Sequence, residues 1–266
     1  MLKYFGSTIN KLVRNKVPNF HYNAVRLVVR YLSDLKKPTD AYLQKIIVEA
    51  KKANDLSKAL KALRQMKQPS TSIYHSVISI CKNIRNSSKA LELKKDMENK
   101  NIYVSTGIYS TMISIFGREF KITLDLLDEM DKKGLVPDVI TYSAAISACG
   151  KGLQWKKALD LLDKMDKKGL VPDVITYSAA ISACGKGLQW EKALDLLDKM
   201  DKKGLIPDVI TYNAAISACE KGLQWEKALD LLDKMDKKGL VPDVKHIMQP
   251  YPHVRKVCNG RKHWTY

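Results

Sequence analysis

Residues 169–190 read GLVPDVITYSAAISACGKGLQW, and the same phrase begins, with small changes, at residue 134 and again at residue 204. Aligning the phrase divides this part of the chain into units at Val139–Asp173, Val174–Asp208 and Val209–Asp243, each 35 residues long. The first two differ only at Lys156/Glu191 and Val171/Ile206. The second and third differ only at Ser178/Asn213, Gly185/Glu220 and Ile206/Val241. Self-similarity at a fixed period of this length is the signature of a solenoid, in which each repeat buries its apolar face against its neighbours.

Fainter copies lie upstream. Thr71–Ser105 keeps Tyr74, Ile78, Cys81, Ala90 and Met97 at the offsets of Tyr142, Ile146, Cys149, Ala158 and Met165. Thr106–Asp138 keeps Tyr109, Ile113, Leu127 and Met130 but is two residues short between Gly117 and Thr123. Residues 40–70 retain only Ile47, Ala59 and Met66. Before them, Val25, Val28, Val29, Leu32 and Leu35 form one apolar stripe, which is expected to be a capping helix within residues 21–39. Residues 244–266 form a basic tail whose Pro250 and Pro252 forbid the first helix of a further unit.

Each unit is expected to fold as two antiparallel helices. In the first, Tyr142, Ala145, Ile146 and Cys149 recur at i, i+3, i+4 and i+7; in the second, Trp155, Ala158, Leu159, Leu162 and Met165 continue the rule. Gly150 and Gly152 are expected to break the chain between the helices. Gly169 and Pro172 should end the second helix, and Asp173 should cap the next. The resulting fold class is an all-α solenoid of stacked helix-turn-helix units.

The formal net charge is +18 and unevenly spread. Residues 139–243 hold 16 basic and 15 acidic residues, residues 1–138 hold 25 and 13, and residues 244–266 hold 5 basic residues and no acid. A basic excess of this size suits a polyanionic partner such as nucleic acid. Residues 1–33 contain no acid, and the first 20 place Leu2, Phe5, Ile9 and Leu12 at helical spacing among basic and hydroxyl residues. That composition reads as an organelle transit peptide, with the mitochondrion favoured slightly over the plastid; the bland reading is an untargeted basic arm. No uncharged apolar run approaches the roughly 18–20 residues needed to span a bilayer, so no membrane span is expected.

The period alone hardly separates this array from tetratricopeptide units. The residues do: V-I-T-Y-S at 139–143, Cys149, K-A-L at 157–159, M-D-K-K-G-L at 165–170 and V-P-D at 171–173 resemble the pentatricopeptide repeat, over roughly residues 40–243. The resemblance implies a right-handed α-solenoid superhelix that binds single-stranded RNA, one repeat to one base. It implies that a base is read by the residue after the tyrosine of the first helix together with the last residue of the unit. Those pairs are Ser110 with Asp138, Ser143 with Asp173, Ser178 with Asp208 and Asn213 with Asp243. The residue two before the tyrosine is expected to clamp the base face: Ile140, Ile175 and Ile210, but Gly107 in the shortened copy. A carboxylate only accepts hydrogen bonds, which favours guanine or uracil; asparagine can donate to a uracil carbonyl, and serine leaves room for a purine. The expected core is 5′-GGGU-3′. His75 with Ser105, and Gln44, receive no assignment.

These residues also have a plain structural reading. A serine early in a helix often bonds to backbone, and an aspartate after proline is often only an N-cap. The Ser-to-Asn change at 213, on the expected reading position, favours function. Other chemically suggestive residues read as structure: Cys81, Cys149, Cys184 and Cys219 as small core residues, and Trp155, Trp190 and Trp225 as interhelical packing. His246, His253, Cys258 and His263 match no zinc spacing, and no H-x-E with C-x-x-C deaminase signature is present. The Asn86-Ser87-Ser88 sequon reads as chance. No enzyme activity, cofactor or metal is expected. The sequence reading is therefore an organellar RNA-binding protein that acts by occupancy, with RNA-processing or ribosomal proteins as further partners. The competing reading is a protein-interaction scaffold or structural subunit of an organellar ribonucleoprotein.

Overall fold

The computed structural model describes residues 38–241. The expected leader (1–20) and the tail (244–266) lie outside them, as does Asp243; so does the expected capping helix (21–39) apart from its last two residues. Among the described residues the chain is all α-helix, in pairs: α1 Asp40–Ala53 and α2 Leu56–Gln65, α3 Thr71–Asn83 and α4 Ser87–Asn99, α5 Thr106–Ile115 and α6 Phe120–Lys132, α7 Val139–Lys151 and α8 Trp155–Lys167, α9 Val174–Lys186 and α10 Trp190–Lys202, α11 Val209–Lys221 and α12 Trp225–Lys237.

The chain divides into two compact units, Met1–Ile73 and Tyr74–Tyr266. In the first, α1 packs on α2 and buries Leu43, Ile47, Ala50, Ala59, Ala62 and Leu63. The Asp40 carboxylate accepts from the backbone N–H groups of Lys67 and Gln68 and so ties down the segment after α2. In the second unit the first helices α5, α7, α9 and α11 stack in a row. The second helices α6, α8 and α10 each lie against their own first helix and the first helix of the following pair. This is the layered arrangement of an α-solenoid. The predicted stripes supply most of its core: Tyr142, Ala145, Ile146 and Cys149 are buried, as are Ala158, Leu162 and Met165 and their equivalents in the next two pairs, but in the second helix Leu161 is buried while the expected Leu159 is only half-buried.

The turns correct one expectation. Gly150 lies inside α7, and Gly152 caps it with φ −83°, an ordinary right-handed value. The left-handed residue of that turn is Leu153, at φ 59°, with Leu188 and Leu223 repeating it at 58° and 57°. The Gln154 N–H bonds back to the Cys149 carbonyl at 2.8 Å and closes the turn around the leucine. The glycines are needed instead for closeness. A Cβ on Gly150 would stand 2.9 Å from the Ala183 Cβ, and one on Gly187 would stand 2.3 Å from the Trp155 Cδ1. Gly169, Gly204 and Gly239 do adopt positive φ, between 67° and 72°, at the end of each second helix.

Trp155 and Trp190 are half-buried against Gly187 and Gly222 of the following pair. Trp225 departs from the expected core packing: it is 50 % exposed, because the glycine partner its equivalents use has no counterpart after α12 among the described residues.

Lysines at the ends of second helices tie successive pairs together. Lys168 Nζ reaches Asp131 at 2.7 Å and Lys203 reaches Asp166 at 3.1 Å, while each ammonium lies within 6 Å of a buried tyrosine ring, Tyr142 and Tyr177. In the divergent pairs the network is denser. Glu129 Oε1 accepts from Lys94 at 2.9 Å, from the Tyr109 hydroxyl at 2.7 Å and from Lys133 at 2.7 Å. Burial alone would raise this carboxyl, but hydrogen bonds from Lys133, Tyr109 and Lys94 outweigh it and hold Glu129 at about 2, below its ordinary 4.5. A depressed carboxyl stabilises the fold above its unfolded value and loses that contribution as pH falls through its folded value. Glu129→Gln is therefore expected to flatten the fall in thermal midpoint between about pH 4.5 and pH 2, measured by circular dichroism. An acid limb as steep as that of the parent would count against this network.

Candidate nucleic-acid interface

Each first helix of the regular pairs begins at an aspartate. Asp138, Asp173 and Asp208 are the N-caps of α7, α9 and α11, and in each the side chain takes a bond from the backbone N–H three residues on, at 2.8 Å. The capping aspartate satisfies one of the helix's unpaired N–H groups, which makes its loss cost about 1 kcal/mol. The same Oδ1 also accepts the hydroxyl of that third residue: Thr141 at 2.6 Å, Thr176 and Thr211 at 2.7 Å. All three aspartates are exposed, and the hydrogen bonds their side chains accept from the described residues go to Oδ1, not Oδ2.

The threonine hydroxyl reaches in the other direction as well. Thr141 Oγ1 lies 2.5 Å from Ser110 Oγ, Thr176 from Ser143 at 2.5 Å, and Thr211 from Ser178 at 2.5 Å. Each serine also bonds the carbonyl four residues earlier, that of Thr106, Val139 or Val174. Ser143 and Ser178 are only 8 % exposed; Ser110 is half-buried. The serine and the aspartate paired in the sequence reading are therefore brought to one place by the threonine of the following unit. Backbone bonding and capping, the structural alternatives, are both present here. They leave an aspartate oxygen and a serine oxygen at the same seam.

Around each seam stand the isoleucines. Ile140, Ile175 and Ile210 are 69–70 % exposed, although isoleucines elsewhere in these helices are buried. Ile140 precedes Ser143 by one turn, and Ile175 lies between Asp173 and Thr176, so the seam is flanked by apolar side chains on both sides. In the shortened pair the place is taken by exposed Gly107, and the His75 ring approaches to 3.4 Å from where its Cβ would be. His75 Nε2 lies 3.0 Å from Thr111 Oγ1. Asn213, the variant reading residue, is half-buried and its Oδ1 is buried without a hydrogen-bond partner among the described residues. Its expected mate, Asp243, lies outside them.

A second row was missed in the sequence. From Ile140 the positions i+4, i+7 and i+11 share one helix face, and they are Ala144, Ser147 and Lys151. Lys151, Lys186 and Lys221 are exposed at the far end of that face, about 16 Å along the helix from the isoleucines. None of the three forms an ion pair among the described residues. Burial lowers the Lys186 ammonium from its ordinary value, and the like charges of Lys151 and Lys221 lower it further. The three ammonium groups thus feel one another across the stack. The signal that could have found them was in the sequence: lysines at a constant 35-residue spacing, in register with the exposed isoleucines.

The cysteines take no part. Cys81, Cys149, Cys184 and Cys219 are buried and free, and burial pushes each thiol up to about 11, away from the reactive thiolate. Among the described residues no group of acid, histidine and cysteine side chains could hold a metal ion, and no helix is long and apolar enough to cross a membrane.

Family models agree with the repeat geometry. The pentatricopeptide repeat domain matches residues 125–187, the PPR repeat family matches 180–221 and 207–245, and the PPR repeat matches 72–102. The chain belongs to the pentatricopeptide repeat family. Among solved structures of that family, the pentatricopeptide repeat protein PPR10 from maize is 25 % identical with a TM-score of 0.60, covering 82 % of this chain and 33 % of its own. PPR10 in complex with an 18-nt psaJ RNA element is 19 % identical with a TM-score of 0.62, over 99 % of this chain and 46 % of its own. The PPR domain of Arabidopsis thaliana protein-only RNase P 1 in complex with tRNA is 16 % identical with a TM-score of 0.56, over 64 % of this chain and 92 % of that domain. The chain thus spans a third to a half of the length of the PPR10 chains it matches. Comparison with curated protein sequences gives no match.

Proposed function

We propose that this pentatricopeptide repeat protein binds single-stranded RNA along the open face of its first helices, one unit to one base. The observation that carries the reading is the pairing of two rows on that face. At one end are seams of exposed isoleucine with a serine and an aspartate oxygen; at the other is a lysine row that forms no ion pair among the described residues. A base slides between apolar side chains and meets hydrogen-bonding groups at the seam, while its phosphate meets the lysines. PPR10 and protein-only RNase P 1 are bound to RNA in the structures described above, which supports the same use here.

The order of bases follows the reading pairs. Ser110 with Asp138, Ser143 with Asp173 and Ser178 with Asp208 favour guanine, and Asn213 with Asp243 favours uracil, for a core of 5′-GGGU-3′. Occupancy of the RNA, not chemistry on it, is the proposed mode of action, in RNA stability, processing or translation. The acid-free first 33 residues, with an amphipathic sequence pattern in the first 20, support an organellar setting, mitochondrial before plastid. A scaffold role gains from the near balance of 16 basic and 15 acidic residues in 139–243. It leaves the lysine row without a purpose.

Selection from random single-stranded RNA at a fixed salt concentration tests the reading. The parent protein is expected to enrich a guanine-rich core, and Ser178→Asn is expected to move the third position, and that one alone, from G toward U, by about tenfold in preference. Selection with no enriched core, or a preference unmoved by Ser178→Asn, would sink it.

A further inference from the structure

Three seams carry the same chain of hydroxyls: Ser110–Thr141–Asp138, Ser143–Thr176–Asp173 and Ser178–Thr211–Asp208. A threonine hydroxyl has one proton, and a carboxylate has none to give. The Thr176 proton therefore goes to Asp173 Oδ1, so in the 2.5 Å contact with Ser143 the threonine accepts and the serine donates. The other acceptor within reach of that serine proton is the Val139 carbonyl at 2.7 Å, which also lies inside the protein. Whichever of the two holds it, the serine proton points inward. Towards anything bound at the seam the serine oxygen can only accept, and so can Asp173 Oδ2.

We infer that Thr141, Thr176 and Thr211 are positioning residues for base specificity, each fixing its seam as two acceptors. The inference rests on the RNA reading proposed above and goes one step further, to the chemistry of the choice. Of the four bases only guanine offers two adjacent donors, N1–H and N2–H, on its Watson–Crick edge. Adenine offers one donor beside one acceptor, cytosine one donor beside two acceptors, and uracil one donor between two acceptors. An acceptor–acceptor seam therefore selects guanine and opposes the other three. The threonines are fully buried and do not touch the base themselves.

The third regular unit supports the inference by its departure. There the reading residue is Asn213, and the place the threonine holds in the other units is His246 in the sequence. Asparagine appears at the one regular unit whose successor has no threonine to orient a serine. The amide Oδ1 is buried and has no partner among the described residues.

The test is a set of single substitutions in the full chain, read by competition among single-stranded RNA oligonucleotides that differ at one base. Thr176→Val keeps the shape and removes the hydroxyl, and Thr176→Ser keeps the hydroxyl. Thr176→Val is expected to lower the preference for guanine over adenine about tenfold at the position read by Ser143 and Asp173, leaving the neighbouring positions unchanged. Thr176→Ser is expected to restore it. Circular dichroism of each variant reports folding, and if Thr176→Val does not fold, Thr211→Val at the neighbouring seam carries the same expectation one base along. An unchanged guanine preference in a folded valine variant overturns the positioning role while leaving the RNA reading intact. Equal loss at every position overturns it too, because a merely structural role would act that way. Absence of any base preference in the parent protein overturns both.

Discussion

Gly150→Val and Gly185→Val are each expected to destabilise the array by about 1–3 kcal/mol, the range for overpacking a filled contact. The first helices α7, α9 and α11 approach so closely that the Gly150 Cα faces Ala183 and the Gly185 Cα faces Ala218. A bare Cβ at either glycine would lie 2.9 Å from the opposing Cβ, and about 3.1 Å from backbone at Gly150. Both contacts are with backbone or a Cβ, so no flexible side chain can move aside; the helices themselves must part. Gly150 is also two turns along from Ser143 on the same side of α7, so parting them loosens the Ser143–Thr176 bond. In a repeat chain of this size about 1 kcal/mol moves the thermal midpoint by roughly 2–4 °C, which a melt resolves. A valine at 150 that melts with the parent would mean that the seam is softer than its distances indicate.

Those glycines also mark the limit of what the sequence discloses. The helices, their pairing and their buried stripes were legible because they are periodic, and a period of 35 with apolar residues at i, i+3, i+4 and i+7 has few other meanings. The reason for Gly150 and Gly152 was not legible. A glycine that turns the chain and a glycine that admits a neighbour look alike in one dimension, and the turn itself falls on Leu153, a residue that propensity would place elsewhere. Trp225 reads the same as Trp155 and Trp190, yet it is more exposed than they are, because their burial depends on a glycine contributed by the next pair. The reading pairs could be named only through family resemblance, because Ser143 and Asp173 are 30 residues apart and meet through Thr176, which belongs to the next unit. Without that resemblance the threonine is one more helix N-terminal hydroxyl. The lysine row was hidden for another reason. A lysine in the last turn of a helix is ordinarily explained by the helix dipole, and only their alignment across the stack, with no ion pair among the described residues, sets Lys151, Lys186 and Lys221 apart.

The lysines give the largest expected effect on binding. Replacing Lys151, Lys186 and Lys221 together by alanine removes three cations from one edge of the open face, far from the seams that distinguish bases. For single strands each neutralised phosphate contributes about −0.7 to the slope of log affinity against log salt. The triple variant is therefore expected to show a slope shallower by about 2, so that raising salt from about 50 to 200 mM costs it roughly twentyfold less affinity than the parent. At low salt its binding should be weaker for every sequence alike, while the preference for guanine at the serine seams stays as it was. Relief of mutual repulsion also predicts that the fold is not weakened, since burial and the charges of Lys151 and Lys221 already disfavour the Lys186 ammonium. Binding titrations at four salt concentrations, with a guanine-rich and an adenine-rich oligonucleotide, separate the two contributions. A parallel slope in the variant would place the phosphates elsewhere, and a lost base preference would mean that the two rows act on the same part of the RNA. A shallower slope with specificity retained would mean that charge holds the strand on the helices while the serine, threonine and aspartate seams read its bases.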